Sequence, residues 1–239
     1  MLSESSVAAL KQCIRLGGTV VAEARLAWND ERGHASPVIP GFGLDQVFGA
    51  REILITPVVE AKIVIDSSAN LPGVTGGQTL PGAAFEEQLA TIGEGRRLAS
   101  FPSGGAAVVE NKYGRGTAVL AGSFLGLSYQ RTHDASTRAL MLALADEAGV
   151  KPEVQVNGTG TGEVEVRRLT GSDQQFIFVF SHSDQPADAT ISLRLPWKVK
   201  EARDVVTGSE VPIQQDGNAS ALHKTLAPGE IWVVNLARE

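Results

Sequence analysis

The sequence contains little cysteine and few aromatic residues. Cys13 is the single cysteine among 239 residues, so no disulfide can form within the chain. Such cysteine usage is typical of a reducing compartment and leads us to expect a cytoplasmic protein. Cys13 falls inside a predicted helix, and we expect it to be a buried structural residue. Because aromatic residues make up only 5% of the chain, Val, Leu, Ile and Ala should supply most of the core.

Clustered positive charge and long apolar runs are also missing. The chain has 21 Lys and Arg residues against 27 Asp and Glu residues, a net charge of −6, and its basic residues are dispersed. This balance disfavours nucleic acid and anionic membranes as partners. An apolar run such as Phe176–Phe180 is far shorter than the about 20 residues that span a bilayer. The first residues show neither the basic nor the apolar region of a signal peptide. We therefore expect no nucleic-acid and no membrane partner.

The first part of the chain shows helix and strand signals in alternation. Residues 3–16 predict a helix that Ser3 caps, and the apolar run 19–22 predicts a covered strand after it. Together they are typical of half an α/β unit. Further helices are predicted at 43–48 and 134–148. Further strands are predicted at 53–56, 61–65, 98–101, 106–111 and 116–124.

The pattern of helix and strand signals changes at Lys151-Pro152. We place a domain boundary there, between residues 1–150 and 151–239. Beyond it, short apolar or alternating runs are separated by Gly, Asp and Pro turn signals. This spacing predicts a small antiparallel β-sandwich. Its expected strands are 163–169, 175–180, 189–195, 202–206 and 231–236.

The most unusual segment runs from Trp28 to His34, directly after the first predicted strand. Its chemistry-bearing residues are Trp28, Asn29, Asp30, Glu31, Arg32 and His34. Ligand crevices form at the carboxyl ends of strands in α/β sheets, and Trp and Arg are common interface anchors. Two interpretations remain open. The segment is a solvated or interfacial loop with Arg32 paired to a carboxylate, or it contributes to a subunit contact or a sugar site.

Other candidate motifs predict no catalytic or metal chemistry. The histidines His34, His133, His182 and His223 are scattered without metal-ligand spacing. The glycine-rich stretch 158–162 lacks a preceding buried strand and a following helix, so it predicts a turn rather than a phosphate cradle. We therefore expect no catalytic residue, no metal site and no cofactor.

Three stretches, 17–33, 40–52 and 112–126, resemble the trimerisation domain of glycoside hydrolase family 42 β-galactosidases. That resemblance implies a flavodoxin-like fold of the class I glutamine-amidotransferase type over residues 1–150, truncated at its start. The tail from 151 to 239 resembles the small C-terminal β-domain of the same enzymes. The family's catalytic (β/α)₈ barrel, which holds its two catalytic Glu residues, has no counterpart in these 239 residues.

The resulting prediction is an α/β domain followed by an all-β domain. We expect a non-catalytic oligomerisation or scaffold portion of a β-galactosidase-like protein of carbohydrate metabolism. The resemblance implies a homotrimer, and a separately encoded catalytic barrel and galactosides are further candidate partners. The alternatives are a carbohydrate-binding module, which needs an exposed Trp28, Trp197 or Trp232, and a free-standing glycoside hydrolase. Trp232 lies in an apolar run and is predicted to be part of the core.

Overall fold

The computed structural model describes residues 2–216 and 219–239, and the chain divides into two compact units, Met1–Val150 and Lys151–Glu239. The helices of the first unit are α1 (Glu4–Arg15), α2 (Leu44–Phe48), α3 (Leu125–Thr132) and α4 (Ala135–Glu147). Its strands are β1 (Thr19–Ala22), β2 (Ala50–Ile65), β3 (Thr79–Thr91), β4 (Arg96–Ser100), β5 (Ala106–Tyr113) and β6 (Gly116–Ala121).

The first helix forms as its sequence predicts. The Ser3 hydroxyl accepts a hydrogen bond of 3.2 Å from the backbone N–H of Ser6, and Val7 and Ile14 are buried on the inner face. The prediction that Cys13 is buried is wrong, because its side chain is exposed. Neighbouring positions on a helix are rotated by roughly 100°, so burial of Ile14 turns Cys13 towards solvent.

A six-stranded sheet forms the centre of the first unit, in the order β1-β6-β5-β3-β2-β4. Among its described ladders only β1 and β6 run parallel, with Thr19 opposite Thr117; every other pair is antiparallel. The reason is connectivity: β5 and β6 are joined by a tight turn, and such short connections permit only antiparallel pairing. The expected flavodoxin-like parallel sheet is therefore not confirmed, and the unit is mostly antiparallel β.

The longest ladder joins β2 to β3, and it was not predicted from the sequence. β2 has 16 residues and β3 has 13. Two register shifts, between Glu52 and Leu54 and between Pro57 and Glu60, interrupt their pairing. Such shifts break the two-residue alternation that identifies a strand. Ile53, Leu54 and Val59 remain exposed on this strand.

The second unit consists of two four-stranded antiparallel sheets, so the antiparallel character predicted for this part is confirmed. The strands are β7 (Val154–Thr159), β8 (Val164–Thr170), β9 (Gln174–Ser181), β10 (Ala187–Arg194), β11 (Val199–Asp204), β12 (Ile213–Asp216), β13 (Ala219–Leu226) and β14 (Ile231–Arg238). One sheet has the order β12-β13-β10-β7 and the other β11-β14-β9-β8. Buried side chains from both sheets form one apolar cluster, which includes Trp232, as predicted. A single turn of 3₁₀-helix, Thr161–Glu163, follows the first strand.

Candidate functional site

The segment from Trp28 to Ser36 folds back on itself as a small hairpin. Asn29 and Ala35 form an isolated antiparallel bridge. The backbone N–H of Ser36 donates to the carbonyl of Trp28 at 2.8 Å, and the N–H of Asp30 donates to the carbonyl of His34 at 3.0 Å. The candidate residues therefore share one short, ordered loop.

The Asp30 carboxylate holds the tip of this hairpin together. Its Oδ1 atom accepts the backbone N–H groups of Arg32 at 2.9 Å and of His34 at 2.8 Å. Its Oδ2 atom lies 3.1 Å from Nδ1 of His34. Hydrogen bonding, first of all from the backbone N–H of His34, lowers the pKa of Asp30. The carboxylate is thus engaged within its own loop.

The remaining tip residues face solvent. The Asn29 side chain donates to the carbonyl of Gly33 at 3.1 Å, whereas Glu31, Arg32 and His34 are exposed. The expected ion pair of Arg32 is absent, since no carboxylate in residues 2–216 and 219–239 lies within ion-pair distance of it. The Asp30 carboxylate instead accepts backbone N–H groups of the turn, including that of Arg32 itself.

Trp28 is the exposed aromatic residue of the loop, and its ring is stacked with a guanidinium group. The residue is 44% exposed, and Cζ of Arg25 lies 3.5 Å from the centre of its ring. Arg25 has a positive φ of 67°, a conformation that few residues other than Gly adopt. Its Nη1 atom forms an ion pair of 2.8 Å with Oε2 of Glu52, and both side chains are largely buried. Arg25 therefore fixes Trp28 to strand β2.

Beside Arg25 lies Glu87, a fully buried carboxyl group on β3. Its Oε2 atom accepts the backbone N–H of Arg25 at 2.7 Å, and its Oε1 atom has no hydrogen-bond partner. Burial raises the pKa of Glu87 to about 7 against the lowering effect of the Arg25 N–H, and the charge of Glu52 adds to the increase. We refer to Arg25, Trp28, Glu52 and Glu87 as the Arg25 cluster.

Sequence reasoning found only Trp28 of this cluster. Glu87 lies 62 residues from Arg25 in a strand that had no recognisable pattern, and Glu52 lies 27 residues away. An acidic pair at 86–87 inside a mixed apolar stretch is the weak signal that could have drawn attention to it. Which member of such a pair is buried depends on the strand register, which the sequence alone left open.

A second carboxylate, Glu23, lies just beyond β1. Its Oε1 atom accepts the backbone N–H of Gly126 at 2.6 Å in the first turn of α3. Phe124, the N-cap residue just before this helix, forms no side-chain capping hydrogen bond. Glu23 therefore caps α3 from a distance of 103 residues along the chain.

An open groove of about 490 Å³ lies elsewhere on the first unit, with Asp66, Arg96 and Arg97 among its lining residues. Arg96 pairs with the buried Glu110 at 2.6 Å, and Arg97 pairs with Asp66. Both guanidinium groups are thus neutralised by carboxylates. The described residues contain no group of three or more His, Cys, Asp or Glu side chains that could hold a metal ion. Nor does any helix in the described part have the length and apolar character to cross a membrane.

Comparison with known proteins gives a result at the level of fold. No family model matches the sequence, and no curated protein matches it. A solved structure of β-galactosidase from Bacillus circulans sp. alkalophilus superposes with a TM-score of 0.75, at 18% identity, over 99% of this chain and 32% of its own. A GH42 β-galactosidase from G. stearothermophilus superposes with a TM-score of 0.73, at 18% identity, over 99% of this chain and 30% of its own.

The fold is similar to that of part of a GH42 β-galactosidase. This chain spans about a third of the length of those enzymes. The architecture also occurs outside β-galactosidases: α-L-fucosidase isoenzyme 2 from Paenibacillus thiaminolyticus superposes with a TM-score of 0.68, at 12% identity, over 100% of this chain and 39% of its own. The two units are therefore found together in larger glycosidases of more than one specificity.

Proposed function

We propose that this chain is the non-catalytic oligomerisation and scaffold portion of a β-galactosidase-like protein of carbohydrate metabolism. The observation that carries the proposal is the superposition of 99% of the chain on about a third of β-galactosidase chains. The parallel pairing of β1 with β6, next to α1, supports the finer assignment of the first unit as a reduced flavodoxin-like domain of the amidotransferase type. A homotrimer and a separately encoded catalytic barrel are the partners that this proposal implies.

The exposed residues of the first unit supply a candidate contact surface. Trp28 is 44% exposed on its hairpin, and Arg25 links it to Glu52 on β2. On the same strand Leu54 is 52% exposed and Val59 is 91% exposed. Aromatic and aliphatic side chains held on ordered backbone are favourable anchors for subunit association.

Size-exclusion chromatography with light scattering at rising protein concentration tests the proposal. We expect a species of three times 25.1 kDa. The substitutions Trp28→Ala and Val59→Asp should shift it towards the monomer. Val206→Asp, at a position that is 80% exposed on the second unit, is the matched control and should leave the mass unchanged. A strict monomer at high concentration would contradict the proposal.

A carbohydrate-binding role is the second candidate, and the exposure of Trp28 favours it. Sugars stack on exposed aromatic faces, and of the three tryptophans Trp232 is buried and Trp197 packs against the core of the second unit. Isothermal calorimetry with galactosides should then show heat that Trp28→Ala abolishes. The absence of heat with the unmodified protein would eliminate this role.

A further inference from the structure

The Arg25 cluster places two carboxyl groups on one arginine, and each contacts a different part of it. Glu52 binds the guanidinium at 2.8 Å, whereas Glu87 binds the backbone N–H at 2.7 Å. The same guanidinium lies 3.5 Å from the centre of the Trp28 ring. One residue, Arg25, therefore contacts a fully buried carboxyl group through its backbone and an exposed indole through its side chain.

The two protonation states of Glu87 place different demands on Arg25. When Glu87 is neutral, the cluster contains one cation and one anion, and the guanidinium is satisfied by Glu52 and the indole. When Glu87 is ionised, its Oε1 atom carries charge in a buried position where no donor reaches it. An unpaired buried charge is costly, and a nearby cation that can turn towards it relieves that cost.

The groups around Glu87 identify that cation. Glu52 on β2 and Arg25 after β1 are the charged groups that act on it. The neighbouring segment 122–124, whose Gly122 carbonyl accepts the N–H of Glu87 at 2.8 Å, consists of Gly122, Ser123 and Phe124 and brings no titratable side chain. Arg25 is thus the positive charge that acts on both carboxylates.

We propose that Glu87 is a proton-operated latch on Trp28. In its protonated form it leaves the guanidinium of Arg25 stacked on the indole, and on ionisation it draws the guanidinium away, which frees the ring. This change at Trp28 takes place within a single chain and does not require association. Its consequence for subunit contact, namely that the surface around Trp28 changes with pH, rests on the proposed function.

Tryptophan fluorescence between pH 5 and 9 tests the latch. The measurement is made on a dilute sample that light scattering shows to be monomeric, so that association does not enter the signal. Subtracting the spectrum of Trp28→Phe isolates the emission of Trp28 from that of the other two tryptophans. We expect this difference to titrate as a single proton with a midpoint near pH 7. The glutamine of Glu87→Gln is permanently neutral and of similar shape. In this variant the Trp28 difference signal should stay at its low-pH value across the whole range.

Two further variants sharpen the test. Glu86→Gln is the matched control, because Glu86 accepts from the Ser103 hydroxyl at 2.8 Å and not from Arg25; its titration should equal that of the unmodified protein. Glu52→Gln removes the like charge, so the midpoint should move to lower pH. This shift remains measurable if Glu87→Gln fails to fold.

A Trp28 difference signal that is flat across the range would overturn the latch. So would a titration that persists in folded Glu87→Gln, or a midpoint that Glu52→Gln leaves unchanged. If the protein is monomeric but shows the expected titration, the latch is supported and only the proposed assembly role is refuted. The latch and the proposed oligomerisation role can therefore be refuted independently of each other.

Discussion

The indole N–H of Trp232 donates a hydrogen bond of 3.0 Å to Oδ2 of Asp204, and both side chains are buried in the second unit. Oδ1 of Asp204 also accepts the backbone N–H groups of Val206 and Thr207, each at 2.9 Å. One carboxylate thus satisfies a core tryptophan and shapes the turn that follows β11.

Asp204→Ala should destabilise the second unit by about 2–3 kcal/mol, because it leaves the buried indole N–H and two turn amides without their acceptor. Urea unfolding followed by the fluorescence of Trp232 measures the change. Asp184→Ala, at an exposed position of the same unit, should be nearly neutral. Equal effects of the two substitutions would show that the Asp204 hydrogen bonds contribute nothing specific.

Glu87 should make the stability of the first unit fall as pH rises. Its pKa in the folded protein is about 7 against an ordinary value of 4.5, so the folded state binds more protons between these values. The free energy of unfolding then decreases with pH across that window, by about 3 kcal/mol in total. Denaturant unfolding at pH 4.5–8 checks this, and in Glu87→Gln the decrease should disappear. A stability that rises through this window in the unmodified protein would contradict the assignment.

Asp30→Ala should loosen the tip of the Trp28 hairpin. The backbone N–H groups of Arg32 and His34 lose their acceptor, so their hydrogen exchange should accelerate. Exchange measured by mass spectrometry or NMR reports this directly, and Glu31→Ala, at the exposed neighbouring position, should leave it unchanged. Because the pKa of Asp30 is lowered, the same loosening should appear in the unmodified protein only at acidic pH.

Gly122→Ala should destabilise the first unit by about 3 kcal/mol or more. An added Cβ would overlap the backbone carbonyl of Glu87, which cannot move without disturbing β3. Gly126→Ala is the matched control, since its Cβ would meet only the end of the Glu23 side chain, at 3.3 Å, and Ala suits a helix better than Gly. Thermal unfolding should therefore separate the two variants clearly, and similar melting temperatures would refute the close approach at Gly122.

The elements that could be predicted are those whose signals are local. Ser3 caps α1, Asp134 caps α4 by accepting the N–H of Thr137 at 2.8 Å, and both helices were expected at nearly their observed bounds. The strands that were missed carry no such signal. β3 contains Pro81, Gly82 and an Ala84 with a φ of 68°, so its pairing with β2 is decided by tertiary contacts rather than by its own pattern.

The candidate site shows the same difference between features with local sequence signals and features that depend on tertiary contacts. The Trp28 hairpin could be singled out because its unusual residues are contiguous, and the turn formed by Asp30 depends on residues two and four positions away. The Arg25 cluster could not be assembled in this way. Its members come from the loop, β2 and β3, and the burial of Glu87 follows from a register that is visible only in the folded sheet.

The hydrogen bond from the N–H of Gly126 to Glu23 occupies a backbone amide at the start of α3. The exposed amides at the start of a helix, beside the end of a parallel strand, are where phosphate groups bind in many α/β proteins. Here the chain places its own carboxylate on that position, at 2.6 Å. A phosphorylated sugar or nucleotide would have to displace a negative charge that is covalently part of the protein. The amide of Gly126 is therefore already engaged by a carboxylate of the chain itself and is not free to bind a phosphate group.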